Sequence, residues 1–332
     1  RKRARRNILM NIFITGGAGY IGSHVAIQLL DAGHKVTVYD DLSLGSKENI
    51  DNRAKFIEGS TLDINHLKIS MSENFDLVIH LAAYKAAEES MILPSKYSNN
   101  NINGSINLLN LILELGIKNL IFSSTAAVYG YPNYIPVDEN HELNPINFYG
   151  HTKLVIENLI QWYAKLGELN YVIFRFFNAA GYDTKGRIKC IEQNPANLLP
   201  IIMETANKSR KKIEIFGDSY DTPDGTGVRD YIHVSDLARA HENAINFLSN
   251  QKSNLITNLA TGEGYSVHEI IKLAEKLSGD KINYHIANKR DGDPPVLIAS
   301  SKLAYDELNW KPKYSKIDTI LDSMWNIYKD SK

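Results

Sequence analysis

The turn Thr15-Gly16-Gly17-Ala18-Gly19-Tyr20-Ile21-Gly22 lies between a short apolar run, Asn11–Ile14, and a stretch of helical periodicity, Ser23–Ala32, that stops at Gly33. Few folds accept so glycine-rich a turn between a strand and a helix. Gly17, Gly19 and Gly22 satisfy G-x-G-x-x-G, and Gly16, Gly19 and Gly22 the wider G-x-x-G-x-x-G. Without side chains the backbone can turn tightly, and its N–H groups can approach a pyrophosphate at the helix N-terminus. The next strand, Lys35–Tyr39, leads into Asp40, where an acceptor for a ribose diol belongs. A carboxylate accepts hydrogen bonds from that diol but repels a 2′-phosphate, and no arginine immediately follows, so NAD is expected rather than NADP. Tyr20, Ile21 and Asp41 complete the expected cofactor contacts around the loop.

The same alternation continues. Asp76–Leu81, Leu120–Ser124 and Tyr171–Phe176 read as apolar strands, and Asn103–Leu115 reads as an amphipathic helix closed by Gly116. Near-continuous apolar strands alternating with helices predict an α/β protein of Rossmann type, a doubly wound parallel sheet covered on both faces. After about residue 180, prolines, asparagines and irregular stretches appear, which predicts a smaller C-terminal lobe over 181–330. A helical return to the main domain (residues 10–180) is expected near 229–250. Residues 1–9, with their run of arginines and lysine before Met10, are expected to be an extension outside the fold.

Net charge is -1, so no bias towards nucleic acid or an anionic membrane is expected, and no apolar run approaches a membrane span of about 20 residues. The single cysteine, Cys190, excludes an intrachain disulfide and fits a cytoplasmic protein. The ten histidines show no metal-ligand spacing, and no metal is expected.

Chemistry is expected at Tyr149 and Lys153, which share a helix face four residues apart. A nearby ammonium favours phenolate and would bring the phenol towards neutral pH as a general base for an alcohol. The spacing alone is not decisive, since Tyr328 and Lys332 repeat it. Thr125, after the strand Leu120–Ser124, offers a second hydroxyl where a substrate would meet the sheet edge.

Thr15–Gly22, Asp40, Phe122–Gly130, Tyr149–Lys153, Phe177–Gly181, Asn197–Pro200 and Asp224–Val234 together resemble the extended short-chain dehydrogenase/reductase superfamily, from Met10 to about Tyr328. The later stretches are similar to its branch that epimerises UDP-hexoses at C4. That resemblance implies a homodimer with tightly held NAD. It also implies that Tyr149 takes the proton of the sugar 4-hydroxyl, Lys153 holds the nicotinamide ribose, and Thr125 bridges to the 4-oxygen. Lys85 would contact the cofactor. Asn178, Asn197 and Leu198 would hold the nucleotide sugar with the Glu214–Phe216 backbone against uracil, Arg229 and Arg290 the diphosphate, and Asp293 the uridine ribose.

Three positions depart from the branch. Thr125 replaces a common serine, Ser60 a common adenine-contacting aspartate, and Leu297 a bulky tyrosine against the sugar C2 substituent. The last enlarges the pocket and predicts acceptance of N-acetylated UDP-hexosamines. Related 4,6-dehydratases carry Asp-Glu after the threonine; here Ala126 and Ala127 cannot transfer protons. A decarboxylase on the same scaffold and a non-catalytic NAD-binding protein are the other readings.

Overall fold

The computed structural model describes residues 9–192, 195–251, 254–290 and 293–331. All of the expected extension except Leu9, and also Lys332, lies outside the described residues.

The glycine turn joins strand β1 (Asn11–Thr15) to the helix Tyr20–Asp31. Strands β2 (Lys35–Asp40), β3 (Lys55–Glu58), β4 (Leu77–His80), β5 (Asn119–Thr125) and β6 (Asn170–Phe176) follow, and Leu255–Leu259 closes a seven-stranded sheet. The order is Leu255–Leu259, β6, β5, β4, β1, β2, β3, with every pairing parallel. The sequence runs for β1, β2, β4, β5 and β6 therefore emerge as strands. Two more strands, β3 and Leu255–Leu259, lie at the sheet edges and join them.

Alternate residues of each strand enter different cores, as a pleated sheet requires. Ile12, Ile14, Val38, Ile79, Ile121 and Phe174 pack beneath the helices Tyr20–Asp31 and Val234–Gln251. Phe13, Tyr39, Val78, Leu120, Phe122 and Ile173 pack on the other face beneath Gly104–Glu114 and Phe148–Leu166. Burial on both faces explains why these strands read as continuous apolar runs. A separate core collects Ile202, Met203, Ile270, Ile320 and Met324 from three helices of the later chain. No helix among the described residues is long and apolar enough to cross a membrane.

Candidate active site

Strand β5 ends at Thr125, and a single 3-10 turn, Ala126–Val128, follows it. The Ala127 N–H donates to Thr125 Oγ1 at 3.2 Å, which fixes that side chain at the sheet's C-terminal edge. Opposite it begins the helix Phe148–Leu166, capped by Asn147 Oδ1 accepting from the Gly150 N–H at 2.8 Å. The Tyr149 N–H donates to Ser90 Oγ at 3.0 Å. Gly150 lets this helix approach the turn, because a Cβ there would lie 2.5 Å from the Ala127 carbonyl oxygen. The Tyr149 and Thr125 side chains thereby line the same chamber.

Lys153, one turn further on, is 2% exposed. Its Nζ donates to the Ser123 carbonyl at 2.7 Å and lies 4.7 Å from the centre of the Phe122 ring. Here the structure corrects the expectation from spacing alone. Burial pushes the Tyr149 phenol up to about 12, with the nearby Thr125 hydroxyl opposing. Burial likewise pulls the Lys153 ammonium down to about 7, with the Glu157 carboxylate opposing. Desolvation disfavours both charged forms and outweighs the neighbouring charge. The protein's own groups therefore do not bring the phenol to neutrality.

Four cavities form one cleft along the sheet edge. One of 90 Å³ is lined by Gly16, Gly19, Asp40, Asp41 and Ser60. The next, of 140 Å³, is lined by Tyr20, Ile21, Gly22, Lys85 and Glu192 and shares Gly16 and Gly19 with the first. Tyr20, Ile21, Lys85 and Ser123 continue into a chamber of 380 Å³ walled by Thr125, Ala126, Ala127, Tyr149, Lys153, Asn178, Asn197, Arg229, Asp293 and Leu297. A further 250 Å³ space shares Asn178, Asn197, Arg229 and Asp293 with that chamber and adds Leu198, Phe216 and Arg290. Every residue expected from the sequence to touch cofactor or substrate lines one of these spaces.

The first two spaces fit NAD. A Cβ on Gly19 would meet only the Gly16 carbonyl oxygen, at 3.3 Å, and would otherwise stand in the cleft. Asp40 is 7% exposed and accepts from the Ala18 and Leu42 N–H groups at 3.0 and 2.9 Å. The carboxylate thus holds the glycine loop as well as facing the cleft. Asp63, three residues beyond Ser60, caps the helix Ile64–Ser70 by accepting from the His66 N–H at 3.0 Å.

The expected cations of the cleft all carry partners. Arg229 pairs with Asp293, Lys85 with Glu192 at 2.6 Å, and Arg290 with Glu88 at 2.6 Å while stacking 3.6 Å above the Phe216 ring. Asp230, the neighbour of Arg229, turns the other way. It is fully buried and accepts from the Thr261 and Gly262 N–H groups at 2.8 and 2.9 Å.

Sequence reasoning missed Gly150, Ser90 and Asn101, which support the site without lining the cleft. Asn101 lies in the π-helical turn Ser98–Asn103 and donates to Thr152 Oγ1 at 3.3 Å. The run Asn99-Asn100-Asn101 before an apolar helix was the available signal.

The profile of the NAD dependent epimerase/dehydratase family matches residues 12–260. The chain is 43% identical over 319 residues to the UDP-glucose 4-epimerase of Streptococcus mutans, covering 95% of this chain and 96% of that one. It superimposes with a TM-score of 0.93 on the UDP-glucose 4-epimerase of Brucella ovis in complex with NAD, at 40% identity, covering 96% and 98% of the two chains. The UDP-Glc/GlcNAc 4-epimerase of Campylobacter jejuni is also similar, with a TM-score of 0.84, 38% identity and coverage of 96% and 99%. The chain belongs to the NAD dependent epimerase/dehydratase family, among its UDP-glucose 4-epimerases.

Proposed function

We infer that the protein is an isomerase that interconverts UDP-galactose and UDP-glucose through a 4-keto sugar. The observation that carries this reading is that Tyr149 and Thr125 share one chamber with the methyl groups of Ala126 and Ala127. The first two residues can handle one proton at a sugar oxygen, and the alanines offer none to eliminate water. Bound NAD supplies a reversible hydride acceptor for C4 and a cationic ring that favours phenolate. Tyr149 takes the proton from the 4-hydroxyl and later returns it to the 4-oxygen. Thr125 donates to that oxygen and keeps it in register with the phenol. Lys153, when charged, donates to the ribose hydroxyls of the cofactor.

Arg229 and Arg290 meet the diphosphate, where a planar guanidinium fork suits two oxygens. Asn178 and Asn197, shared by the two substrate spaces, stand where sugar passes into nucleotide. Incubation with UDP-galactose without added cofactor, followed by detection of UDP-glucose, tests the reading. No conversion even after NAD is added overturns it.

A wider substrate range has its own support. Leu297 pairs in register with Arg229 and lines the chamber beside Tyr149. A leucine there leaves room for an acetamido group at C2, so UDP-N-acetylglucosamine and its galacto epimer are substrates too. Comparable turnover of the plain and acetylated pairs is expected; absence of turnover of the acetylated pair removes this extension. A cytoplasmic homodimer is the expected working form. It is supported by the single cysteine and by exposed Leu113, Leu115, Trp162 and Leu166 at neighbouring helix ends.

A further inference from the structure

Behind the chamber lies a buried ion pair that the chemistry above leaves unused. Glu157 follows Lys153 by one helical turn and is 0% exposed; Arg175, in β6, is 3% exposed. Arg175 Nη2 donates to Glu157 Oε2 at 2.7 Å and Nε donates to Oε1 at 3.1 Å. The Ser124 hydroxyl donates to the same Oε1. Arg175 Nη1 donates to the Tyr129 hydroxyl at 3.0 Å, which in turn donates to Asn258 Oδ1 at 2.6 Å. Removing two charges from water is costly, and apolar replacements of such pairs are often neutral or stabilising. Stability alone therefore gives little reason for the pair.

Its placement gives another. Ser124 immediately precedes Thr125 and itself lines the sugar chamber. Glu157 and Lys153, four apart, share a helix face. Resting on the epimerase reading, we propose that Glu157 is a positioning residue: clamped by Arg175, it fixes the end of β5 through Ser124 and supplies the negative charge that the Lys153 ammonium faces.

The surroundings of Lys153 agree. From β4 comes His80, kept neutral by burial that pulls it to about 3 and hydrogen-bonded to Thr15 and Ser105 at 2.7 and 2.8 Å. From β5 come the Ser123 carbonyl and the Phe122 ring. From β6, Arg175 is bound to Glu157, and the Tyr171 phenol is pushed up by burial and, less, by the Glu157 charge. On its own helix stand Tyr149 and Glu157, and it is Glu157 that opposes the loss of the lysine's proton.

The test uses NAD-loaded protein and the pH profile of kcat for UDP-galactose. The double variant Glu157→Gln with Arg175→Gln keeps the pair neutral and leaves no lone buried charge. Its alkaline limb, where Lys153 loses its proton, is expected about one pH unit lower, with kcat at pH 8.5 down about tenfold and KM nearly unchanged. Ser124→Ala keeps the ion pair, and is expected to lower kcat about tenfold without moving the limb. A double variant that binds NAD and keeps the parent's limb and kcat overturns the proposal. If the double variant does not fold, Ser124→Ala decides: kcat within about twofold of the parent overturns it. An inactive parent would sink the epimerase reading instead, so the two failures are distinct.

Discussion

Replacing Lys153 with methionine should abolish turnover and yet stabilise the fold. The ammonium is 2% exposed, and burial takes it from an ordinary value of 10.5 to about 7. At about 1.4 kcal/mol per pH unit, that fall corresponds to about 5 kcal/mol. The unfolded chain keeps this proton up to pH 10.5, the native protein only to about 7. Below pH 7 both states are charged, and the native state carries the whole cost. Between pH 7 and 10.5 the unfolded state binds more protons, so stability rises with pH; above 10.5 both are neutral and the cost is gone.

Methionine removes this cost but leaves the Ser123 carbonyl without its 2.7 Å donor, a loss of about 1–3 kcal/mol. The net gain at pH 6 is therefore about 2–4 kcal/mol, or roughly 5 °C in Tm, and it should shrink and reverse by pH 10. Thermal unfolding of parent and variant at pH 6 and 9.5, both stripped of NAD so that no ribose contact differs between them, isolates the lysine. The reasoning is refuted by a variant less stable than the parent at pH 6, or by a difference that is the same at both pH values.

Tyr149→Phe removes the proton acceptor and should lower kcat by about 10²–10⁴, while bound NAD, read from its absorbance after gel filtration, is retained. Gly150→Ala places a Cβ 2.5 Å from the Ala127 carbonyl oxygen and should force the helix away from Thr125. Its kcat should fall by at least about tenfold with little change in KM, since a small misplacement at the reacting atoms is costly. NAD should compete for the cofactor cleft at least about tenfold better than NADP, because Asp40 repels a 2′-phosphate; equal displacement in a titration would contradict that role.

Much of this architecture is legible in the chain because its signals are local. The glycine turn, Asp40 and the Tyr149–Lys153 spacing each declare themselves within a few residues, and the structure places all of them along one cleft. The strands that stayed hidden depend on distant partners. Lys55–Glu58 is a short edge strand with charged ends, and Leu255–Leu259 carries Asn258, a polar residue that reads as loop. Asn258 is fully buried because Tyr129, 129 positions away, donates to its side-chain oxygen at 2.6 Å. The proton affinities of Tyr149 and Lys153 were equally out of reach. Spacing shows that an ammonium is near a phenol, whereas depth of burial decides which charge survives. In Arg229-Asp230 the sequence offers two charges side by side, and only the fold sends one into the cleft and the other into the Thr261–Gly262 turn.

If Arg229, Arg290 and Lys85 hold ligands as proposed, their carboxylate partners make ligand capture an exchange reaction. A polyanion entering the cleft would not meet three idle cations; it would displace Asp293, Glu88 and Glu192, so ion pairs would be traded rather than gained. Affinity should therefore fall less steeply with added salt than three bare cations would require, which a plot of log Kd against log salt concentration measures. The displaced acids become available as acceptors, and Asp293, once released by Arg229, is free to receive the hydroxyls of a ribose. Selectivity then rests on what each ligand offers the groups it liberates, and an inorganic polyphosphate, with charge but no hydroxyls, makes a poor exchange.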